Sequence, residues 1–290
     1  MEQTILNLAL TICQNASVRL LYLCEFGSRS KGYAANNETS DYDICGVFVE
    51  SSLDAYWAGQ LGTNSTAVAL SKRQIVRKIN DNLEFTLWHI TKALRHLFHD
   101  RNFSLYLWSL SPIIYYENDD FRRFRQYMLG TVGKINPKMH YGHARNIFHQ
   151  CERILQQKEQ RHLGLSVEMV EVATKRIIVC WTHLIYLLFA LKQDHLPSIN
   201  VENLLEAMNS TRSEKYNDFE IPGQLFLEVI HLRNNVDNSS LPSAINRVEI
   251  LYDAAKKCIN KFSVVKFDNK YAVQYDKDWY NVIKPLLPQV

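Results

Sequence analysis

The 290-residue chain has few of the features that would place it outside the ordinary globular class. Its six cysteines, at 13, 24, 45, 151, 180 and 258, include no Cys-x-x-Cys pair. They lie in apolar stretches such as Leu23-Cys24 and Val179-Cys180. They therefore read as buried free thiols of a reducing compartment, cytoplasmic or nuclear, rather than as a disulfide framework. Met1-Glu2-Gln3 is not a basic segment leading into an apolar core, so a signal peptide is not expected. The most apolar stretch, Ile177 to Leu191, contains Thr182 and His183 and falls short of the ~20 apolar residues of a membrane span. A buried helix and no membrane partner are expected there. Internal repeats and low-complexity tracts are absent. Excess charge is slight too: 33 Lys and Arg against 30 Asp and Glu give +3, too little to indicate nucleic-acid binding by itself. With 47% hydrophobic and 22% charged residues, the chain can fill two ordinary cores.

What is present is a short constellation near the N-terminus. The run Val18-Arg19-Leu20-Leu21-Tyr22-Leu23-Cys24 reads as a strand that ends at Gly27-Ser28. A small residue there lets backbone N–H groups approach an anion, and a following helix, capped by Ser28, would point its positive end at it. After a polar loop, Asp41-Tyr42-Asp43-Ile44-Cys45-Gly46-Val47-Phe48-Val49 reads as a second strand, whose period of two sends Asp41 and Asp43 to one face. Two carboxylates so close raise each other's pKa unless a cation sits between them. Oxygen-only ligands favour magnesium or manganese over zinc. Asn80-Asp81-Asn82 reads as a hairpin turn, and Leu83-Glu84-Phe85-Thr86-Leu87-Trp88 as a strand whose Glu84 completes a three-carboxylate cluster if it pairs beside the Asp-x-Asp strand.

These residues in this order resemble the signature of the DNA polymerase β-type nucleotidyltransferase superfamily. A narrower likeness, to nucleotidyltransferases of the RNA-repair-pathway, DNA polymerase β-like family, rests on residues 25–34, Ser40-Asp41-Tyr42-Asp43, Trp88 with Lys92-Ala93-Leu94, Trp108-Ser109-Leu110-Ser111-Pro112-Ile113 and His140-Tyr141. The chain departs from the family pattern in three places. Lys31 stands where an aromatic residue is common, Glu84 where Asp is common, and Trp181-Thr182 where an Arg-Pro pair is common.

The resemblance implies an α+β fold, with a mixed-sheet palm domain over residues 1–117 followed by an α-helical domain over 118–290. It also implies transfer of a nucleoside monophosphate from a nucleoside triphosphate, such as ATP, to an acceptor hydroxyl. Asp41 and Asp43 would bridge two Mg2+ or Mn2+ ions, and Glu84 would hold the ion at the acceptor or take its proton. Gly27 and Ser28 would cradle phosphates, with Arg29, Lys31 and Lys175 as further candidate nucleotide contacts. The acceptor is an RNA or tRNA end; the alternatives are a small molecule, a protein hydroxyl, or nucleotide binding without turnover. Basic residues at Lys72-Arg73, Arg77-Lys78, Arg122-Arg123, Arg125, Lys134 and Lys138 read either as solvated faces or as a groove for nucleic acid. His140, His143 and His149 read as packing rather than zinc ligands.

Periodicity adds a first helix over 2–14, with Ile5, Leu8, Leu10 and Ile12 inward, and a helix from a Thr91 cap to about Asp100. Helices then follow over 103–110, 120–128, 141–159, 168–191, 201–208, 224–233 and 244–260. A short strand is expected at 113–116, and the alternation over 262–275 suggests a hairpin.

Overall fold

The computed structural model describes residues 1–34, 40–52, 54, 74–98, 104–131, 137–160, 165–192, 196, 198–210, 222–233, 236–237, 239–265 and 276–288. Helix α1 (Glu2–Asn15) leads into strands β1 (Val18–Glu25), β2 (Tyr42–Glu50), β3 (Gln74–Asn80) and β4 (Leu83–His89). Helices α2 (Ile90–Phe98) and α3 (Ser104–Ser109) precede the last strand, β5 (Ile114–Glu117). The chain is then helical: α4 (Asp119–Thr131), α5 (Pro137–Gln160), α6 (Val167–Lys192), α7 (Val201–Ser210), α8 (Gly223–Leu232), α9 (Leu241–Ser263) and α10 (Lys277–Ile283), closed by a 3-10 turn at Lys284–Leu286. The fold is α+β with a five-stranded mixed sheet in the order β3-β4-β2-β1-β5.

β2 and β4 pair in parallel and the remaining neighbours antiparallel. The parallel pair arises because β3 and the two-residue turn at Asp81–Asn82 return the chain beside β2. Asn80 Oδ1 accepts from the Asn82 N–H at 2.9 Å, the local bond that favours Asn in such turns. Each face of the sheet has its own apolar set. On one face, Val18, Leu20, Leu23, Ile44, Phe48, Phe85 and Leu87 pack against Ile5, Ala9 and Cys13 of α1. On the other, Tyr22, Cys24, Cys45, Val47, Val49 and Trp88 join the helical layer in one continuous core. A register shift between Leu20 and Tyr22 explains how Leu20 and Leu23, three apart, face the same way.

Inside the helical layer the apolar α6 is covered by α5 and α9 rather than by solvent. Trp181 is fully buried and its indole N–H donates to the Leu251 carbonyl at 3.1 Å, while the Tyr186 hydroxyl donates to the Ile199 carbonyl at 3.1 Å. This helix is long and apolar enough to cross a membrane by composition alone, and most of its apolar side chains are instead core. Trp279 of α10 sits between the rings of Phe98, Phe124 and Tyr127. Phe121 of α4 stacks on Tyr22 at 4.8 Å, which fastens the helices to the sheet.

Several sequence expectations change. Leu10 of α1 is 43% exposed rather than inward, while Ile5 is buried and Leu8 and Ile12 pack half-buried against the core; Ala9 and Cys13 complete the buried stripe, four residues apart as a helix requires. Thr91 lies inside α2, and the cap is the His89 ring, whose Nδ1 accepts from the Thr91 N–H at 3.2 Å while Nε2 meets Glu50 Oε2 at 2.6 Å. Helix α9 runs through Ser263, so Phe262 is helical core and not the start of a hairpin; residues 266–275 lie outside the described residues. α10 adds a helix that periodicity did not suggest.

Candidate active site

The parallel register sets Asp43 opposite Glu84, Cys45 opposite Thr86 and Val47 opposite Trp88. Opposed residues share a face, so both carboxylates project from the face that the helical layer covers. They do so at its open rim, where each is exposed, while Val47 and Trp88 deeper along the same rows are buried. Asp41, also exposed, lies just before the strand, and the Tyr42 N–H anchors that entry by donating to the Asn82 carbonyl at 2.7 Å.

β1 brings the glycine-serine corner against these acids. The Phe26 N–H donates to the Asp43 carbonyl at 2.8 Å. A Cβ at Gly27 would stand 2.2 Å from Asp43 Oδ2, so the carboxylate occupies space that only glycine leaves open. The helix expected after this corner does not form. Residues 28–32 make one turn, with the Lys31 N–H on the Gly27 carbonyl (3.3 Å) and the Tyr33 N–H on the Ser28 carbonyl (2.9 Å). Gly32 ends it at φ 79°, a conformation that takes glycine and turns the chain out of the helical path. The buried Ser30 hydroxyl accepts from the Gly27 N–H at 3.1 Å. Gly27 therefore contributes room rather than a donor to an anion.

The cations divide. Arg29 pairs through Nε with Glu25 Oε1 at 2.7 Å and lies over the Tyr42 ring, with Cζ 4.2 Å from the centroid. Glu25 is fully buried and also accepts from the Tyr115 hydroxyl at 2.6 Å. Burial raises the Glu25 pKa, opposed by those two partners. Lys31 Nζ stands 4.2 Å from the Phe26 centroid and, like the exposed Lys175 of α6, is close enough to Asp43 to oppose the rise in its pKa. That rise comes first from desolvation, then from the Asp41 charge, with Glu84 adding to it. Trp181, where the family pattern has Arg, points into the core.

Other candidates fall elsewhere. Arg122 and Arg125 turn to Glu117, Arg122 also to Asp119, while Arg77 and Lys78 are exposed on the edge strand β3, where Lys78 pairs with Asp81 at 2.8 Å. Lys72, Arg73 and Lys134 lie outside the described residues. His140 Nδ1 meets His183 Nδ1 at 3.2 Å, and His143 stacks on His183 at 5.1 Å. Burial pushes the His140 pKa down to about 3. Among the described residues, no group of three His, Cys, Asp or Glu side chains is drawn together closely enough to hold a metal ion. The donor chemistry at the rim is nonetheless all-oxygen, and the space over Gly27 is shaped round a carboxylate. Sequence reasoning missed Arg233, whose Nη1–H donates to the Tyr33 carbonyl at 2.8 Å, because a contact across 200 residues leaves no local pattern.

Comparison with known proteins adds three likenesses. The uncharacterized protein YcgL of Bacillus subtilis (strain 168) is 31% identical over 117 residues, 40% of this chain and 40% of that protein. A solved nucleotidyltransferase-like protein from Exiguobacterium sibiricum 255-15 superposes with a TM-score of 0.31 at 9% identity, over 98% of this chain and 87% of that one. Residues 1–218 match the RNA repair pathway DNA polymerase beta family, a span that takes in the sheet, its rim of acids and most of the helical layer. The chain belongs to the RNA repair pathway DNA polymerase beta family.

Proposed function

We propose that this protein is a divalent-metal-dependent nucleotidyltransferase that moves a nucleoside monophosphate from a nucleoside triphosphate to the hydroxyl of an RNA or tRNA end. The observation that carries the reading is the placement of Asp43: opposite Glu84 in the parallel register, and folded over a Gly27 that leaves no space for a Cβ. Family membership supports nucleotidyl transfer as the reaction class.

Asp41, Asp43 and Glu84 are the residues that would hold Mg2+ or Mn2+, two ions in the full assembly. Bound there, the metal would supply charge neutralisation at the α-phosphate. Magnesium commonly takes one or two carboxylates together with substrate phosphates rather than an all-protein cage. A rim of acids not yet closed round one point suits an ion that arrives with nucleotide.

The reaction forms a bond from the acceptor oxygen to the α-phosphorus and breaks the bond from that phosphorus to the pyrophosphate oxygen. Glu84, exposed beside Asp43, takes the acceptor proton. Lys31 and Lys175, both within electrostatic reach of Asp43, offset the negative charge of the triphosphate. Arg29, tied to Glu25 and Tyr42, holds the corner rather than the nucleotide.

The test is pyrophosphate release with each of the four nucleoside triphosphates, with and without total RNA. Label from one triphosphate appearing in RNA is expected. Label on a small molecule or protein, with RNA failing to compete, would replace the acceptor. Metal-dependent nucleotide binding without pyrophosphate release would replace catalysis by sensing.

A further inference from the structure

Arg233 follows α8, beyond residues 1–218 that match the family, and reaches back to the turn beside the acids. Its Nη1–H donates to the carbonyl of Tyr33, whose own N–H closes the turn on Ser28. Two neighbouring ties hold the same segment. The Val201 N–H donates to the Lys31 carbonyl at 2.9 Å, and Gly32 lies so close to Asn200 that a Cβ would stand 2.6 Å from its Nδ2. The turn that Arg233 contacts is thereby also held by residues 200 and 201.

A guanidinium has five N–H donors in a planar fork. Among the described residues, the Tyr33 carbonyl is the protein partner of the Arg233 fork, and no carboxylate forms an ion pair with it. Asp41 and Glu171 are near enough to be felt but not paired, and partial burial lowers the Arg233 pKa despite them. An arginine that is half-buried, pinned by one donor and, among the described residues, given no other partner for its fork is pre-organised for a planar, bidentate anion contact. Lys31 and Lys175 lie within electrostatic reach of Asp43, as Arg233 does of Asp41, so all three cations border the same acids.

We propose that Arg233 is a phosphate-binding residue of this site. The inference rests on the nucleotidyl-transfer reading and extends it to a residue outside the family match. The phosphate belongs either to the nucleoside triphosphate or to the acceptor strand, since both offer the same tetrahedral oxyanion.

The experiment compares the full-length wild type with R233Q and R233K by titration calorimetry in magnesium. The ligands are ATP, AMP, adenosine, and RNA oligonucleotides with a 5′-phosphate or a 5′-hydroxyl. For R233Q, roughly ten- to hundredfold weaker binding of ATP is expected, with adenosine binding unchanged and R233K recovering part of the loss. A loss confined to the 5′-phosphorylated oligonucleotide would assign the phosphate to the acceptor. Equal losses for ATP and adenosine would make Arg233 a support for Tyr33 and overturn the proposal, as would no loss for any ligand. Should R233Q not fold, R233K, which keeps the charge and a donor for Tyr33, is read by the same ratio of ATP to adenosine. A wild type that binds none of these ligands would overturn the nucleotidyl-transfer reading itself.

Discussion

Replacing Gly27 with alanine separates the architecture of the site from the stability of the fold. A Cβ there would lie 2.2 Å from Asp43 Oδ2, 2.9 Å from Cγ and 3.0 Å from Cβ. Normal carbon contacts fall at about 3.5–4.0 Å, so the overlap exceeds an ångström. Asp43 Cβ is fixed by a strand paired on both sides, so relief must come from rotating the carboxylate or shifting Phe26–Gly27 outward. An off-rotamer side chain costs about 0.5–1.5 kcal/mol and a tight small-to-large change about 1–3 kcal/mol. Because the Asp43 carboxylate borders solvent, the loss of stability should stay near 1 kcal/mol, at the low end of those ranges. The chemistry should suffer more, since a misplacement of about 1 Å can lower a rate on the order of a hundredfold. Gly142, whose added Cβ meets nothing within 4 Å, is the control. Inside α5, G142A should raise stability by about 0.5–1 kcal/mol and leave turnover unchanged. The assay is pyrophosphate release beside chemical unfolding of both variants. Wild-type turnover by G27A would refute the claim that the Gly27 vacancy positions Asp43.

Three further outcomes follow from particular contacts. G32A should lose about 2 kcal/mol in urea unfolding, because φ 79° costs a Cβ-bearing residue about 1–2 kcal/mol and Asn200 must also move; an unchanged midpoint would remove Gly32 as the stop of the turn. W181A should lose about 3–5 kcal/mol, and W181F less, since phenylalanine keeps most of the packing but leaves the Leu251 carbonyl without the indole donor; equal losses would show that the ring packing matters little and that the hydrogen bond, lost in both, carries the cost. The folded His140 pKa of about 3 lies below the ordinary 6.5, so the unfolded chain binds the extra proton between those values and stability falls as pH drops below 6.5. By pH 5 that amounts to about 2 kcal/mol, and H140Q should show a shallower decline from pH 7.5 to 5 by about that much. Parallel declines in urea unfolding would mean that His140 does not resist protonation.

What could be read from the sequence was what depends on nearest neighbours. The alternation of Tyr42 to Val49 and the Asn80-Asp81-Asn82 turn each carry their own signal, and strands and hairpin lie where that chemistry sets them. The shared face of Asp43 and Glu84 followed only once the pairing was known, because register between strands separated by the span 51–73 has no local mark. The turn after Gly27 looked helical because nothing nearby announces that Gly32 will adopt a positive φ against Asn200. Arg122 and Arg125 looked available as basic residues, yet Glu117 takes both, a pairing set by β5 meeting α4. The missed α10 did have a signal: Asp276 caps it by accepting from the Asp278 and Trp279 N–H groups, and an aspartate before a short apolar run was there to be read.

The proposed function requires Asp43 to be a carboxylate that serves metal-dependent nucleotide chemistry. Its most direct test is magnesium-dependent pyrophosphate release by the wild type and by D43N, with circular dichroism confirming that both are folded. Release by the wild type should stop when magnesium is chelated, and none above background is expected from D43N. Release by D43N at the wild-type rate, or release that persists under chelation, would contradict the proposed function.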